Sequence, residues 1–247
     1  MTGHDLLTGK VVVVTAAAGT GIGSATAKRC LEEGATVVIS DWHERRLGET
    51  HEALGTAHAV PCDVTDEQQV QRLVDETVER YGRIDVMVNN AGLGGEKSVL
   101  DMADEEWSRV LDVTLTGTFR CTRAALRRMV VQRSGVVVNN SSVIGWRAQR
   151  GQAHYAAAKA GVMALTRCAA MDVAEHGIRV NAVAPSLAAH PFLAKVTSEE
   201  LLTELASREA FGRAAEPWEV ANVIVFLASD YSSYLTGEVV SVSSQHP

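Results

Sequence analysis

The chain has 247 residues, of which 46% are hydrophobic and 21% are charged, and its formal net charge is −7. This length suits one large α/β domain with a sizeable core, and the negative charge argues against nucleic acid as the main partner. No apolar run reaches the roughly 18 residues of a membrane span, so no membrane partner is expected.

The N-terminus and the cysteines bear on the location of the protein. The segment MTGHDLLTGK at 1–10 lacks the basic and apolar regions of a signal peptide. The four cysteines are scattered singly and form no CxxC pair, which predicts neither a zinc site nor a disulfide framework. We therefore expect a cytoplasmic protein whose thiols stay reduced.

The first element is a strand that leads into a glycine-rich turn and a helix. Lys10 to Thr15 is a β-branched run typical of a buried parallel strand, and the turn AAAGTGIG follows at 16–23. Gly19, Gly21 and Gly23 would let the backbone approach a pyrophosphate at the helix N-terminus, where amides and the helix dipole favour anions. This context predicts dinucleotide binding, and a simple tight turn is the alternative.

Asp41 follows the second predicted strand, Ala35 to Ser40. A carboxylate at this position can accept hydrogen bonds from the ribose hydroxyls of NAD and would repel the 2′-phosphate of NADP. Arg45 and Arg46 are the competing signal for NADP, and an N-cap of the next helix is the other role open to Asp41. The sequence favours NAD.

Two further strand ends carry polar residues. A short strand at 57–61 leads to Asp63, which either contacts the adenine or caps the helix predicted at 66–81, and the two roles are compatible. The fourth strand, at 84–88, runs into Asn-Asn-Ala-Gly at 89–92, where small residues and amides leave room for a ribose or a nicotinamide. An ordinary Asn/Gly turn is the alternative.

The second half continues the alternation of helices and strands. One long helix is predicted at 104–131, buried against the sheet, a partner subunit or both. The fifth strand, 135–140, is followed by a second long helix from 153 to about 175, which Gly177 stops, and by a sixth strand at 178–184.

Segment 186–212 interrupts this alternation and is a candidate lid. It contains a short capped helix predicted at 197–209, for which a plain surface helix is the alternative. A helix at 216–229 and a last strand at 238–242 complete the chain. The pattern predicts a single-domain Rossmann fold, a doubly wound parallel sheet of about seven strands with helices on both faces.

Tyr155 and Lys159 lie four residues apart in an alanine-rich helical segment, so their side chains share one helix face. An ammonium beside a phenol favours the phenolate and is expected to lower the pKa of Tyr155 from its usual value of about 10, which suits a general acid/base. Ser142 follows the fifth strand, where a hydroxyl can point into the ligand crevice of an α/β sheet. Taken alone, a chance YxxxK on a solvated helix face is the alternative.

Taken together, seven stretches resemble the short-chain dehydrogenase/reductase family over essentially the whole chain. They are TAAAGTGIG, CDV, NNAG, the serine pair at 141–142, YAAAK, NAVAPS and FLASDYSSYLTGEVV. The resemblance implies a nicotinamide cofactor and a catalytic set in which Tyr155 exchanges a proton with the substrate oxygen. Ser142 would stabilise that oxygen, and Lys159 would bind the nicotinamide ribose. It also implies a homotetramer built on the helices at 104–131 and 153–175.

The motifs and the resemblance together give a set of residues expected to contact the cofactor, taken as NAD. These are Gly19, Thr20, Gly21, Ile22, Gly23, Asp41, Asp63, Val64, Asn90, Ala91, Gly92, Tyr155, Lys159, Pro185, Ser186 and Leu187. The cofactor-binding part then spans about 8–140, and the catalytic and substrate part spans about 141–247 with the candidate lid. No metal site is expected.

Several positions depart from the family pattern. The first glycine of the TGxxxGxG motif is Ala16, and one residue is added after it. The catalytic asparagine of the family falls on Thr114, whose hydroxyl is expected to hold a relay water near Lys159. The usual Pro-Gly is Pro185-Ser186, His190 stands where a threonine often meets the carboxamide, and the usual terminal Asp-Gly-Gly is Ser-Ser-Gln at 243–245.

The expected function is an NAD(H)-dependent dehydrogenase or reductase of a secondary alcohol or ketone. The stretches HYAAAKAGVMALTRC and SSYLTGEVVSVSSQHP resemble actinobacterial relatives of steroid and fused-ring catabolism, some of which act on CoA thioesters. A bulky apolar or fused-ring substrate is therefore expected. A reductase of 3-oxoacyl thioesters and a catalytically weak NAD-binding protein are the alternatives.

Overall fold

The sheet is the frame of the molecule. The computed structural model describes residues 3–189 and 199–244, and within them seven parallel strands run in the order β3-β2-β1-β4-β5-β6-β7. The strands are Val11–Thr15 (β1), Thr36–Asp41 (β2), His58–Pro61 (β3), Val86–Asn89 (β4), Gly135–Asn140 (β5), Ile178–Pro185 (β6) and Val239–Val242 (β7). The predicted doubly wound Rossmann architecture is confirmed.

The helices fall between these strands, as the alternation predicts. They are Ile22–Glu32 (α1), Glu44–Leu54 (α2), Glu67–Tyr81 (α3), Asp104–Leu111 (α4), Gly117–Gln132 (α5), Ala153–Val173 (α6), Glu199–Ser207 (α7) and Pro217–Ala228 (α8). A 3-10 turn at Ala174–His176 extends α6, and Gly177, with φ of +70°, ends it as predicted.

Hydrophobic cores cover both faces of the sheet. Val12 and Val14 point to one face and pack with α1, α2 and α8, while Val13 points to the other and packs with α3, α5 and α6. All three valines are completely buried. Burying a valine side chain stabilises the fold by about 1.5 to 3 kcal/mol, so this short apolar strand fixes the position of the glycine-rich turn that follows it.

The long helix predicted at 104–131 is not continuous. A π-helical turn at Asp112–Thr116 separates α4 from α5, and Thr114 within that turn is completely buried. A π turn accommodates one extra residue in the helical spiral, and such turns are frequent at functional sites. Periodicity alone does not reveal it, because the apolar residues on both sides still follow a helical spacing.

The predicted cap role of Asp63 is wrong. Asp66 caps α3, since its carboxylate accepts hydrogen bonds from the backbone N–H groups of Gln68 and Gln69. Asp63 instead accepts hydrogen bonds from the backbone N–H and the hydroxyl of Thr65, at 2.9 and 2.8 Å. Two aspartates three positions apart compete for the same helix start, and the one immediately before the helix prevails.

The candidate lid is described only in part. Its helix occupies Glu199–Ser207, whereas the predicted capping segment at 197–198 and His190 lie outside the described residues, as does position 245. Helices long and apolar enough to cross a membrane do not occur among residues 3–189 and 199–244.

Ala16, at the first position of the glycine-rich turn, has φ of +49°. This left-handed conformation costs an L-residue roughly 1–2 kcal/mol, whereas glycine adopts it readily. Ala16→Gly is therefore expected to raise the free energy of unfolding by about 1 kcal/mol, measured by urea denaturation.

Ala18→Gly in the same turn is the matched control, because Ala18 does not have a positive φ. It should leave the stability unchanged or lower it. A fall in stability for Ala16→Gly would show that the alanine side chain contributes packing that outweighs the backbone strain.

Candidate active site

The candidate site lies where β1, β4, β5 and β6 end at the same edge of the sheet. Thr15, at the end of β1, accepts the backbone N–H of Asn90, which follows β4, at 3.0 Å. Ser142, just after β5, donates its hydroxyl to the carbonyl of Pro185, the last residue of β6, at 3.4 Å. In open α/β sheets this edge is the place where ligands bind.

Ser142 and Tyr155 are hydrogen-bonded to each other, as their predicted joint role requires. Tyr155 stands in the first turn of α6, and Ser142 is 8% exposed. The single hydrogen of the Ser142 hydroxyl has two acceptors within reach, the carbonyl of Pro185 at 3.4 Å and the phenol oxygen of Tyr155, and donation to the phenol oxygen lowers the pKa of Tyr155.

Lys159 lies one helical turn beyond Tyr155 and is 3% exposed. Its Nζ donates to the carbonyl of Asn140 at 2.6 Å and lies 5.5 Å from the centroid of the Tyr155 ring. The spacing thus brings both side chains to one helix face, as predicted. The ammonium contacts the end of β5 rather than the phenol oxygen.

The expected direction of the tyrosine pKa shift is wrong for this structure. Burial raises the pKa of Tyr155 to about 12, and the hydrogen bond from Ser142 only partly opposes that effect. Burial also lowers the pKa of Lys159 to about 8. The cost of burying the phenolate and the ammonium is larger than the gain from the attraction between them. The phenol of Tyr155 is therefore neutral at pH 7 and able to donate its proton.

Asp41 anchors the glycine-rich turn. Its carboxylate accepts the backbone N–H of Ala18 at 3.2 Å and that of His43 at 2.9 Å, and the residue is 8% exposed. The N-cap of α2 is His43, so the cap role considered for Asp41 is wrong. The carboxylate lies beside the turn that is predicted to receive the dinucleotide.

The residues after β4 pass close to Tyr155 and Lys159 on α6. A Cβ added to Gly92 would lie 3.3 Å from Nζ of Lys159, and one added to Gly94 would lie 3.8 Å from the ring of Tyr155. Between them, Leu93 is held through both of its backbone groups by Thr114. The threonine hydroxyl accepts the Leu93 N–H at 2.9 Å and donates to its carbonyl at 3.2 Å.

Two asparagine doublets, at 89–90 and 139–140, end neighbouring strands in matching register. Asn140 donates its side-chain amide to the amide oxygen of Asn90 at 2.9 Å, and Asn90 donates to the carbonyl of Ala16 at 3.0 Å. The sequence reasoning missed Asn140 and Thr15 as site residues. The repeated Asn-Asn at two adjacent strand ends is the signal that would have found the first of them.

Three other predicted cofactor residues, Val64, Ser186 and Leu187, contact residues other than Ser142, Tyr155 and Lys159. Val64 packs against Gly117, where an added Cβ would lie 2.7 Å from the valine. The backbone N–H of Ser186 donates to Val242, and that of Leu187 donates to Glu209 at 3.5 Å. Clusters of three potential metal ligands of the His, Cys, Asp or Glu type are absent from the described parts of the chain.

The glycine-rich turn fits a dinucleotide. A Cβ at Gly23 would lie 2.3 Å from the carbonyl oxygen of Ala16 and 2.5 Å from the amide nitrogen of Asn90, so only glycine allows α1 to start this close to β1. Gly21 is the N-cap of α1 and no side chain caps this helix. The first amides of α1 are therefore available to an anionic pyrophosphate.

Comparison with known proteins agrees with this geometry. The family model described as enoyl-(acyl carrier protein) reductase matches residues 16–244. The (5R,7aS)-5-hydroxy-7a-methyl-1-oxo-2,3,5,6,7,7a-hexahydro-1H-indene-carboxyl-CoA reductase of Mycobacterium tuberculosis is 68% identical over 251 residues, which cover 99% of this chain and 96% of that protein. A 3-oxoacyl-[acyl-carrier-protein] reductase of Thermotoga maritima is 42% identical over 240 residues, 96% of this chain and 97% of that protein.

A crystal structure agrees as well. A short chain dehydrogenase from Mycobacterium smegmatis superposes with a TM-score of 0.89 at 61% identity, covering 100% of this chain and 97% of that chain. Fold and site together define an oxidoreductase that uses a nicotinamide cofactor. The chain belongs to the short-chain dehydrogenase/reductase family.

The buried lysine predicts a gain in stability when its charge is removed. Because burial lowers the pKa of Lys159 from 10.5 to about 8, the folded state holds the charged form at a cost below pH 8. Lys159→Met removes this cost but also removes the hydrogen bond to Asn140. The net effect should be a rise of about 1–2 kcal/mol in the free energy of unfolding of the ligand-free protein at pH 7.

That gain should shrink as the pH rises from about 8 to about 10.5, because the unfolded chain then binds more protons than the folded one and the parent protein gains stability. Exposed Lys28, changed to Met, is the control and should show no such pH dependence. Urea denaturation across this pH range checks the sign, and a Lys159→Met variant less stable than the parent at pH 7 would contradict it.

Proposed function

We propose that Tyr155, Ser142 and Lys159 form the catalytic set of this oxidoreductase. In the reductive direction the phenol of Tyr155 donates its proton to the substrate oxygen, and the Ser142 hydroxyl forms a hydrogen bond to the same oxygen. The neutral phenol that burial maintains is the correct form for this step. The nicotinamide cofactor, when bound, supplies or accepts the hydride.

Lys159 and Thr114 are proposed to support that proton transfer. Lys159 would hold the ribose of the cofactor and restore a proton to Tyr155. Thr114 would hold a relay water with the acceptor capacity that its hydroxyl retains after its two bonds to Leu93. The closeness of Gly92 to both side chains supports this arrangement.

We infer that the cofactor is NAD rather than NADP. The buried carboxylate of Asp41 beside the glycine-rich turn suits ribose hydroxyls and repels a 2′-phosphate. Of the two competing arginines, Arg45 is paired with Glu49 along the exposed face of α2 at 2.7 Å. Arg46 is exposed on the same helix. The local charge therefore favours NAD(H).

The proposed substrate is a fused-ring secondary alcohol or ketone carried as a CoA thioester. The observation that carries this proposal is the 68% identity to an indene-carboxyl-CoA reductase over nearly the whole length of both chains. The site is compatible with a bulky apolar ring. Gly94 places no side chain against the ring of Tyr155, and Trp146, four residues after Ser142, is 43% exposed.

A 3-oxoacyl-thioester reductase is the second candidate, favoured by the Thermotoga maritima relative and by the description of the family model. Both candidates share the acyl thioester and differ in the group that is reduced, a ring ketone or a linear 3-oxo group. A catalytically weak NAD-binding protein is disfavoured, because Ser142, Tyr155 and Lys159 are all present in contact geometry.

The segment at 186–212 is proposed to act as a lid over the substrate. Its two ends are tied together near the sheet. Ala189 donates its backbone N–H to Ala215, and the carboxylate of Glu209 accepts the Leu187 N–H and the Ser244 hydroxyl. Glu209 is 4% exposed, so this clasp is buried and gives the segment fixed ends.

A cytoplasmic homotetramer that pairs the helices of segments 104–131 and 153–175 is also proposed. Within these segments, α5 and α6 present a shallow groove lined by Phe119, Leu126, Leu165 and Cys168, and Phe119 is 40% exposed. An exposed apolar groove between helices suits a second copy of the chain. The exposed free thiol of Cys168 suits a reducing compartment. Analytical ultracentrifugation tests the tetramer.

The substrate is tested with three matched ketones and both reduced cofactors. They are a fused-ring ketone carboxylic acid, its CoA thioester and a linear 3-oxoacyl-CoA. The proposal expects the highest kcat/KM for the fused-ring thioester. A preference for the linear thioester would favour the second candidate, and equal activity on the free acid would exclude recognition of the CoA moiety.

Tyr155→Phe is expected to abolish most turnover while leaving cofactor binding nearly intact. The change removes only the proton donor, and general acid–base catalysis contributes a factor of about 10² to 10⁴ in rate. Steady-state kinetics and NADH titration check both parts. Turnover within a few-fold of the parent would refute the assignment.

Thr114→Val keeps the shape of the side chain but removes its hydroxyl, which leaves the buried backbone groups of Leu93 without their partner. We expect turnover to fall by about tenfold. Thr114→Ser, which retains the hydroxyl, should keep most of the activity. Unchanged turnover in the valine variant would exclude a relay role and would show that proton exchange follows another route.

Asp41→Ala should narrow the preference for NAD(H), because it weakens binding of the ribose and relieves repulsion against the 2′-phosphate. Repulsion at close range in a partly desolvated cleft corresponds to roughly a hundredfold in affinity. Asp41→Asn separates charge from hydrogen bonding to the turn, and Glu52→Gln, at an exposed position of α2, is the control. A higher kcat/KM with NADP(H) for the parent protein would overturn the inference.

A further inference from the structure

Asn140 carries a buried amide oxygen that is unpartnered among the described residues. The residue ends β5 and is 9% exposed, and its Oδ1 accepts no hydrogen bond. Its other polar groups are engaged. Nδ2 donates to the amide oxygen of Asn90, and the main-chain carbonyl accepts the ammonium of Lys159. A buried acceptor without a donor costs about 1–3 kcal/mol, so this one calls for an explanation.

Two neighbouring donors form other hydrogen bonds, and neither of them donates to Oδ1 of Asn140. The ammonium of Lys159 is directed at the main-chain carbonyl of Asn140, at 2.6 Å. The amide nitrogen of Asn90 donates to the carbonyls of Thr15 and Ala16, at 3.2 and 3.0 Å. Both groups hold the edge of the sheet together, so a donor for Oδ1 comes most directly from a molecule bound in the crevice.

The position of Asn140 identifies that molecule. Through Asn90 it is linked to the glycine-rich turn, and through its carbonyl it holds the catalytic lysine. Asn89 also has an unpartnered amide oxygen, but its amide nitrogen faces Thr122 on α5 and Asn139, under the helices of the opposite face. Of these two amide oxygens, that of Asn140 belongs to the residue that links the glycine-rich turn to Lys159.

We propose that Asn140 is a further cofactor-binding residue, whose Oδ1 accepts a hydrogen bond from the nicotinamide–ribose half of the bound dinucleotide. The donor is a ribose hydroxyl or the carboxamide, both of which carry hydrogens suited to an amide oxygen. The inference rests on the nicotinamide cofactor of the family and is independent of the substrate and of the choice between NAD and NADP.

The test compares Asn140→Leu with Asn89→Leu, a control that removes the same kind of orphan oxygen from the opposite face. Affinities for NADH, NADPH, ADP-ribose and ADP are measured by calorimetry, with urea denaturation of each ligand-free protein. In Asn140→Leu we expect the Kd for the preferred reduced cofactor to rise about threefold to tenfold, the effect of one hydrogen bond. The Kd for ADP should stay unchanged, as should every Kd in Asn89→Leu.

Stability distinguishes binding from a structural role. Asn140→Leu removes the free-energy cost of the unpartnered oxygen and also removes the stabilising hydrogen bond to Asn90. Because these two effects on the free energy of unfolding oppose each other, the ligand-free variant should keep the urea midpoint of the parent protein. A variant that fails to fold, or that loses stability without losing affinity for the reduced cofactor, would assign Asn140 a structural role and overturn the proposal. An equal loss of affinity for ADP would overturn it too.

Asn140→Asp distinguishes the contribution of the acceptor oxygen to cofactor affinity from that of the hydrogen bond to Asn90. The carboxylate retains the acceptor but cannot donate to Asn90, so the cofactor affinity should stay within threefold of the parent. A loss equal to that of the leucine variant would attribute the effect to Asn90 and refute the proposal. The affinity for ADP-ribose, which has the second ribose but lacks the carboxamide, identifies the donor. If Asn140→Leu also weakens binding of ADP-ribose, the donor is a ribose hydroxyl. If it weakens only the binding of the complete dinucleotide, the donor is the carboxamide.

Discussion

The hydrogen bond from the Lys159 ammonium to the carbonyl of Asn140 ties α6 to the end of β5. From there, side-chain amides continue the connection through Asn90 to Ala16 at the start of the glycine-rich turn. Three strand ends and one helix are thereby held in register by polar contacts in a setting that water hardly reaches. The glycine-rich turn and the side chains proposed to transfer the proton share this one support.

Such a support is costly in the absence of ligand. Ala16 is held in a left-handed conformation, Lys159 keeps a charge where burial lowers its pKa to about 8, and Asn140 retains an orphan oxygen. All three features lie within one chain of contacts, and the strands beneath them contribute completely buried valines such as Val13, Val88 and Val138 to the cores. The apolar sheet supplies the stability that lets the site remain strained, a division of roles common in enzymes.

Thr114, at the position where the resemblance implies an asparagine, belongs to the same network of buried polar contacts. The π-helical turn brings this side chain, completely buried, against Leu93, and its hydroxyl satisfies both backbone groups of that residue. The segment it holds passes between Lys159 and Tyr155. A short hydroxyl side chain is sufficient for this contact because the π turn places it directly beside the segment.

The sequence by itself determined the parallel sheet, the glycine-rich turn and the placing of Tyr155 and Lys159 on one face, because apolar runs, glycine spacing and helical periodicity are local properties. Only the tertiary structure decided the partners of the polar groups. It assigned the α3 cap to Asp66 rather than Asp63, inserted the π turn and raised the pKa of Tyr155 to about 12. Hydrogen-bond partners and burial depend on residues far apart in the chain, and strand ends such as Asn90 and Asn140 meet only once the sheet has formed.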